Sequence, residues 1–295
     1  MAAVAALVLG FVGCAPLRPL AKSPLLPAQM SPDSVVLDIV FVRLPPQEPA
    51  EVAELWAELD EQQLPASLRQ RLARNGFRVG VAGGQLPQSL ARLIDNAMPL
   101  GEDIVAASQP APDSSATTVT VTDFQDQPAL SRRHLQLRDG LEAEIVASGI
   151  YPSLPLLEAD ADRQLGGRRY NKAQGVISLK AFAEADGRVR LDLRPELQYG
   201  EPQQEIRPDA GRWLMQSRRR RHAIDDLQIE ALLSPGEMLV LAAHADDTGS
   251  AGHYFFTESS GAGTTRKLLL IRLSQTQHEE LFGTEELAAE IATAE

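Results

Sequence analysis

The chain has 295 residues, with 28 Lys plus Arg against 40 Asp plus Glu, so its formal net charge is −12. This acidic balance argues against a general nucleic-acid-binding protein, because a phosphate-binding surface needs clustered positive charge. A hydrophobic fraction of 44% is typical of a chain that buries a core, which excludes disorder throughout. The single cysteine excludes an intrachain disulfide, a CxxC redox pair and any site built from several thiolates.

The first residues have an export pattern. Residues 2–12 are apolar and uncharged, and a run of about 11 such residues is too short to span a bilayer but suits the core of a signal peptide. Phe11-Val12-Gly13-Cys14 resembles the bacterial lipobox, in which the cysteine is lipidated and becomes the new N-terminus. The resemblance implies a lipoprotein anchored through Cys14. Simple export, or an apolar N-terminus with an incidental Cys14, are the alternatives.

The next part of the chain has a proline-rich segment, which is followed by strand and helix patterns. Residues 15–33 are rich in proline without a sustained period, which predicts a tether. After it come β-branched runs and apolar residues at i, i+3, i+4 and i+7, the spacing of one helix face. In chain order these patterns predict a strand at 35–42, helices at 52–59 and 64–75, a strand at 77–81 and a helix at 86–94.

Downstream the pattern is mostly β. Residues 174–200 contain two alternating segments around Asp186-Gly187, a strong hairpin pattern. Arg138-Asp139-Gly140 predicts a second hairpin turn, between strands at 134–137 and 143–146. Further strands are predicted at 118–122, 227–233, 238–243 and 267–273.

These elements predict an α+β fold, a small β-α-α-β-α domain followed by a mainly antiparallel β domain and a C-terminal helix. The predicted segments are a signal peptide with lipobox at 1–14, a tether at 15–33, the small α/β domain at 34–100, a linker at 101–118, the β domain at 119–276 and an acidic helix at 277–295.

Part of the β domain resembles a known family. Asp186-Gly187 joins two strands, Pro195-Glu196 follows the second one, and Pro235-Gly236-Glu237 precedes the apolar strand that ends at Ala243. This order is similar to the C-terminal part of the secretin β-domain of type II and type III secretion and pilus machinery. The resemblance covers roughly a quarter of the chain and implies a component of secretion machinery that assembles with other envelope proteins.

The chain also departs from that family. Ala242-Ala243-His244 stands where secretins have a double glycine, and Arg218, Arg219, Arg220 and Arg221 are unlike a membrane-facing hairpin. These departures argue against a pore and favour a truncated, soluble secretin-like β-domain carried on a lipoprotein.

Two segments are candidate partner contacts. Arg218 to Arg221 would dock an acidic partner or anionic lipid headgroups, or they form a solvated strand edge, where charge discourages aggregation. The apolar patch Tyr254, Phe255 and Phe256 lies in a segment of small residues. It is either an exposed interaction tip or part of the core, and we favour the core.

Three patterns resemble catalytic or ligand sites. His244, Asp246, Asp247 and His253 lie within ten residues and carry the donor types of a divalent-metal site, although the composition also suits a polar turn. Ser250 or Ser259 with His253 and Asp247 has the residues of a catalytic triad but lacks a G-x-S-x-G elbow. Glycines at 80, 83 and 84 do not have dinucleotide-binding spacing and predict a turn.

The sequence therefore predicts a non-enzymatic, exported lipoprotein on the periplasmic side of the cell envelope, with protein partners and no cofactor or metal. An oligomeric outer-membrane secretin-like subunit is one alternative, and a metal-dependent hydrolase is another.

Overall fold

Two β-sheets packed face to face account for most of the described chain. The structure, a computed structural model, describes residues 34–44, 50–97, 106–108, 119–122, 129–159, 165–209, 212–224, 227–244, 247–260 and 263–277. The fold is mainly antiparallel β, with few and short helices. All these residues fall within one compact unit, which runs from Ser31.

Three of the four described helices begin close to the predicted positions, since the apolar spacing and the proline of the second helix are local signals. The described helices are α1 (Ala50–Glu58), α2 (Ala66–Arg74), α3 (Gln88–Ala97) and α4 (Ala251–Phe256).

The strands include every strand predicted from the sequence and several more. The described strands are β1 (Ser34–Arg43), β2 (Phe77–Ala82), β3 (Ala106–Ser108), β4 (Val119–Thr122), β5 (Leu130–Arg138), β6 (Glu142–Val146), β7 (Tyr151–Ala159), β8 (Leu165–Ala183), β9 (Val189–Asp209), β10 (Arg212–Ala223), β11 (Ile229–Leu233), β12 (Met238–Ala243), β13 (Thr257–Ser260) and β14 (Gly263–Gln277).

Sheet 1 has the strand order β2-β12-β14-β1-β5-β3, with β13 paired to β14. The predicted order β-α-α-β-α is present over β1, α1, α2, β2 and α3. However, β1 pairs with β14 and β5, and β2 pairs with β12. The segments 34–100 and 119–276 therefore contribute strands to one sheet.

Sheet 2 has the order β10-β9-β8-β6-β4, with β11 also paired to β9 and β7 to β8. The hairpin at Asp186-Gly187 is confirmed, because β8 and β9 pair from Ala183↔Val189 onward. Gly187 has φ +82°, a value that glycine adopts without the strain imposed by a side chain.

The hairpin predicted at Arg138-Asp139-Gly140 is wrong. β5 lies in sheet 1 and β6 in sheet 2, so the turn carries the chain between sheets instead of pairing its flanking strands. Both strands alternate apolar and polar residues because each turns one face toward the same core. Alternation alone does not show which partner a strand has.

The main core lies between the two sheets. It combines the inner residues of sheet 1, such as Leu37 and Ile271, with those of sheet 2, such as Ile177 and Leu191. A second cluster lies on the outer face of sheet 1, where Leu55 and Trp56 of α1 and Leu90 and Leu93 of α3 cover the strands. Sheet 2 has no helix over its outer face among the described residues, and that face carries charged side chains.

Two expected loops contain regular structure. β3 lies inside the predicted linker 101–118 and pairs with β5 in parallel. α4 and β13 lie inside the glycine-rich and serine-rich segment around 245–264. β7 was not expected because Pro152 and Pro155 interrupt its pattern, and proline is depleted in strands.

Several predictions lie outside the described residues. They are the lipobox with Cys14, the tether at 15–33 and the C-terminal helix, of which only Gln277 is described, as the last residue of β14.

Candidate functional site

An ion-pair network occupies the outer face of sheet 2. Arg221 of β10 reaches across to the neighbouring strands, with Nη1 3.3 Å from Glu142 Oε1 and 3.5 Å from Glu196 Oε2, and Nη2 against Glu144. Glu144 and Glu196 are only 7% and 8% exposed, and Gln198 donates a 2.9 Å hydrogen bond to Glu144. The Arg221 guanidinium therefore forms ion pairs with three carboxylates.

The pKa of Glu196 shows the cost of this arrangement. Burial raises the pKa of Glu196 above its ordinary value, and the nearby carboxylates of Glu142 and Glu144 raise it further. Arg221 and Arg194 act in the opposite direction. Because the net shift is upward, the network holds Glu196 in place without fully compensating for its burial.

A fork forms where β8 and β9 stop pairing. Their ladder ends at Gln174↔Gln198, after which β8 continues with β7 and β9 with β10. Arg219 spans the fork, donating from Nε to the Gly200 carbonyl at 3.1 Å and from Nη2 to the Lys172 carbonyl. Arg219 therefore joins the two hairpins.

Aromatic side chains fill the base of the fork. The buried Tyr170 ring lies edge-on to Tyr199 at 5.0 Å and stacks on His222 at 5.3 Å. His222 Nε2 in turn lies 2.9 Å from Glu158 Oε2, which ties β7 to β10.

The predicted basic run is therefore divided in two. Arg219 and Arg221 are occupied by contacts within the chain, whereas Arg220 is exposed and Arg218 half-exposed, with no ion pair among the described residues. Their strand, β10, is hydrogen-bonded to β9 on one side only in the described part of the chain. It presents an open, basic edge.

Most of the aromatic patch is buried and cannot be a partner contact. Phe255 and Phe256 are fully buried, with ring centres 5.3 and 6.1 Å from Phe77. A partner cannot reach these rings because α4 turns them into the core between the sheets. Tyr254 is half-buried, and its backbone carbonyl accepts a 2.9 Å hydrogen bond from the Tyr151 hydroxyl.

The His244–His253 segment is built as a helix cap. Ser250 Oγ accepts the His253 N–H at 3.2 Å and donates to the Asp247 carbonyl at 2.6 Å, so this hydroxyl begins α4. His244 Nδ1 lies 3.7 Å from Asp247 Oδ2, and burial beside Arg266 lowers the pKa of His253. No group of three or more metal-ligand side chains converges among the described residues, which do not include Asp246.

A buried acid in β1 was missed by the sequence analysis. Asp38 is 2% exposed and accepts hydrogen bonds from Arg132 Nη2 at 2.8 Å and Ser274 Oγ at 2.7 Å, with His134 also in contact. Burial by itself would raise the pKa of Asp38, but these bonds outweigh it and the pKa is lowered. The serine bonds to the aspartate and not to the histidine, so the group lacks the order of a catalytic triad.

A cleft of about 290 Å³ lies at β2, beneath α2. Its polar lining comes from Glu61, Arg69, Arg78 and His244, and its apolar lining residues are Leu72, Ala73, Phe77 and Val79. The sequence singled out His244 as a candidate metal ligand, whereas neither charge spacing nor a motif marked Glu61, Arg69 and Arg78, which meet only when α2 folds over β2.

The chain was compared with known proteins. No family model matches it, and no curated protein matches it either. Among the described residues, no helix is both long enough and apolar enough to cross a membrane.

Proposed function

We propose that this chain is a non-enzymatic, exported envelope lipoprotein that binds a protein partner by strand addition at β10. The observation that carries the proposal is the open, basic edge of sheet 2. An unpaired strand edge is a template for a further strand, because backbone groups give affinity and side chains give specificity. The resemblance to secretins supports an assembly role, and the α+β grouping into a small N-terminal domain and a secretin-like β-domain belongs to the same proposal.

The direction of the β10 backbone supports this use of the edge. The Ile224 N–H donates to the Pro195 carbonyl at 3.2 Å, so the backbone N–H and carbonyl of Ile224 point toward β9. Backbone groups alternate along a strand, so those of Ala223 and Arg221 point away from β9, toward the open side. They are available to a partner strand.

The charge of β10 favours an acidic partner. Two copies of β10 paired with each other would bring their arginines together, and like charges on neighbouring strands destabilise a pair. A strand with Glu or Asp on alternate positions would instead meet Arg218 and Arg220.

Ala223→Pro tests strand addition. The substitution removes an N–H that faces the open side, where proline is tolerated, and leaves the bonds to β9 in place. We expect a short peptide alternating Val and Glu to bind the natural chain, measured by fluorescence anisotropy, and to lose binding to Ala223→Pro. The control peptide alternates Val and Lys and should not bind. Equal binding of both peptides, or unchanged binding by Ala223→Pro, contradicts the proposal.

Cys14 tests the membrane anchor. If the lipobox is used, a fatty-acid probe will label the chain in bacterial cells and the protein will pellet with membranes. Cys14→Ser should abolish labelling and release the protein, because acyl chains supply the membrane affinity. Unlabelled, freely soluble natural protein would contradict the anchor but not the strand-addition proposal.

A ring-like oligomer is the second candidate. Sheet 2 ends in β10 at one side and β4 at the other in the described residues, so the β10 edge of one copy could join the β4 edge of the next. Multimers that resist heat and SDS would favour this candidate, whereas a monomer by light scattering would count against it.

A further inference from the structure

The cleft beneath α2 is open to the edge of a strand. β2 is the edge strand of sheet 1 in the described part of the chain, and Asp60 covers one end of its free side through two backbone bonds with Val81, of 2.8 and 3.0 Å. Because backbone direction alternates along a strand, Val79 points its N–H and carbonyl to the same free side. Val79 lines the cleft, so its N–H is a donor there.

Arg69 of α2 supplies a second donor. Its Nε is buried and has no hydrogen-bond partner among the described protein groups. A buried guanidinium N–H without an acceptor is costly, since it has lost its water. An acceptor placed in the cleft would satisfy it.

Arg78 is held at the cleft by an ion pair with Glu61. Its Nε and Nη2 donate to Glu61 Oε1 at 3.0 and 2.6 Å, and its guanidinium lies 4.3 Å from the centre of the Trp56 ring. These contacts hold Arg78 at the cleft. With Arg69 positive and Arg78 paired to Glu61, the three charged groups sum to one positive charge, in a protein of net charge −12.

The rest of the cleft suits a short apolar chain. Leu72, Ala73 and Phe77 line it, and its volume of about 290 Å³ is at the lower end of ligand pockets. We propose that the cleft binds a small organic monocarboxylate, whose oxygens accept from Arg69 Nε and the Val79 N–H and whose apolar part packs on Ala73, which, unlike Leu72 and Phe77, is not fully buried. This site uses neither β10 nor Cys14 and goes beyond the proposed function.

The test follows the Arg69 Nε–H resonance by NMR in the full chain. The probes are 4-methylpentanoate, the matching neutral amide, and inorganic phosphate. We expect 4-methylpentanoate to shift the Arg69 Nε–H and Val79 N–H signals in a saturable way, and the amide and phosphate to leave them in place. An affinity for phosphate above that for the carboxylate, or no saturable shift with 4-methylpentanoate, overturns the proposal.

Substitutions on α2 provide the matched comparison. Arg69→Gln should weaken carboxylate binding about tenfold, the effect of losing one charge-assisted bond, followed through the Val79 signal. Arg74→Gln makes the same charge change on the same helix outside the cleft lining and should leave the affinity unchanged. Equal loss in both variants would show a general charge effect and overturn the site. Ala223→Pro should retain carboxylate binding, which separates this test from that of strand addition.

Discussion

Gly252→Ala is expected to destabilise the folded protein by about 3 kcal/mol or more, because overpacking against rigid backbone cannot be relieved by a rotamer change. A β-carbon at Gly252 would lie 1.8 Å from the Gly76 carbonyl oxygen and 2.8 Å from the Phe77 nitrogen. The Gly252 N–H also donates to the Asn75 carbonyl at 2.9 Å, so α4 cannot withdraw without breaking that bond. Urea unfolding monitored by circular dichroism measures the loss.

Gly83→Ala is the matched control. A β-carbon at Gly83 would meet nothing within 4 Å, so we expect its free energy of unfolding to stay within about 0.5 kcal/mol of the natural chain. If Gly252→Ala were as stable as Gly83→Ala, the close packing of α4 against the start of β2 would be wrong.

Arg221→Ala is expected to lower the free energy of unfolding by about 1–3 kcal/mol at neutral pH, less than for a fully buried pair because the Arg221 side chain is 26% exposed. Its loss leaves Glu142, Glu144 and Glu196 facing each other. The pKa of Glu196, already raised by burial, should rise further once Arg221 no longer opposes that shift.

The sign of the pH dependence follows from that shift. A carboxyl with a raised pKa in the folded state favours folding below its ordinary value of 4.5, and this contribution is lost as the pH rises through the folded-state pKa. The loss of unfolding free energy in Arg221→Ala should therefore be small in acid and grow toward neutral pH. Arg220→Ala, on the exposed neighbour, should show neither the deficit nor its pH dependence. A deficit independent of pH would mean that Arg221 stabilises only by packing.

Most local structure of the described fold was predictable from the sequence because local structure has local causes. The alternation around Asp186-Gly187 and the proline before α2 act within a few residues, and both elements are present. Which strands pair was not predictable in the same way. β5 and β6 follow one another across a glycine turn and yet belong to different sheets, a choice made by the distant strands that they meet.

The same distinction applies to the site residues: local sequence features were predictable, whereas contacts with distant strands were not. The basic run was visible as a composition feature, but the separation of Arg219 and Arg221 from Arg218 and Arg220 depends on the register shift between β10 and β9 and on the strands beside them. Phe255 was correctly favoured as core although it was also kept as a candidate contact. Asp38 had a signal, a lone acid within an apolar strand, whereas the cleft at Arg69 had none.

The position of β14 has a consequence for biosynthesis. β14 joins β12 to β1, and its Ile271 lies beside Ile39 from the other end of the described chain. Without β14, sheet 1 would be split into two groups of strands, β2-β12 and β1-β5-β3, each with an open edge. Such late, long-range closure is slow. Because β14 is the last described strand along the chain, sheet 1 can close only after all the other described strands have been synthesised.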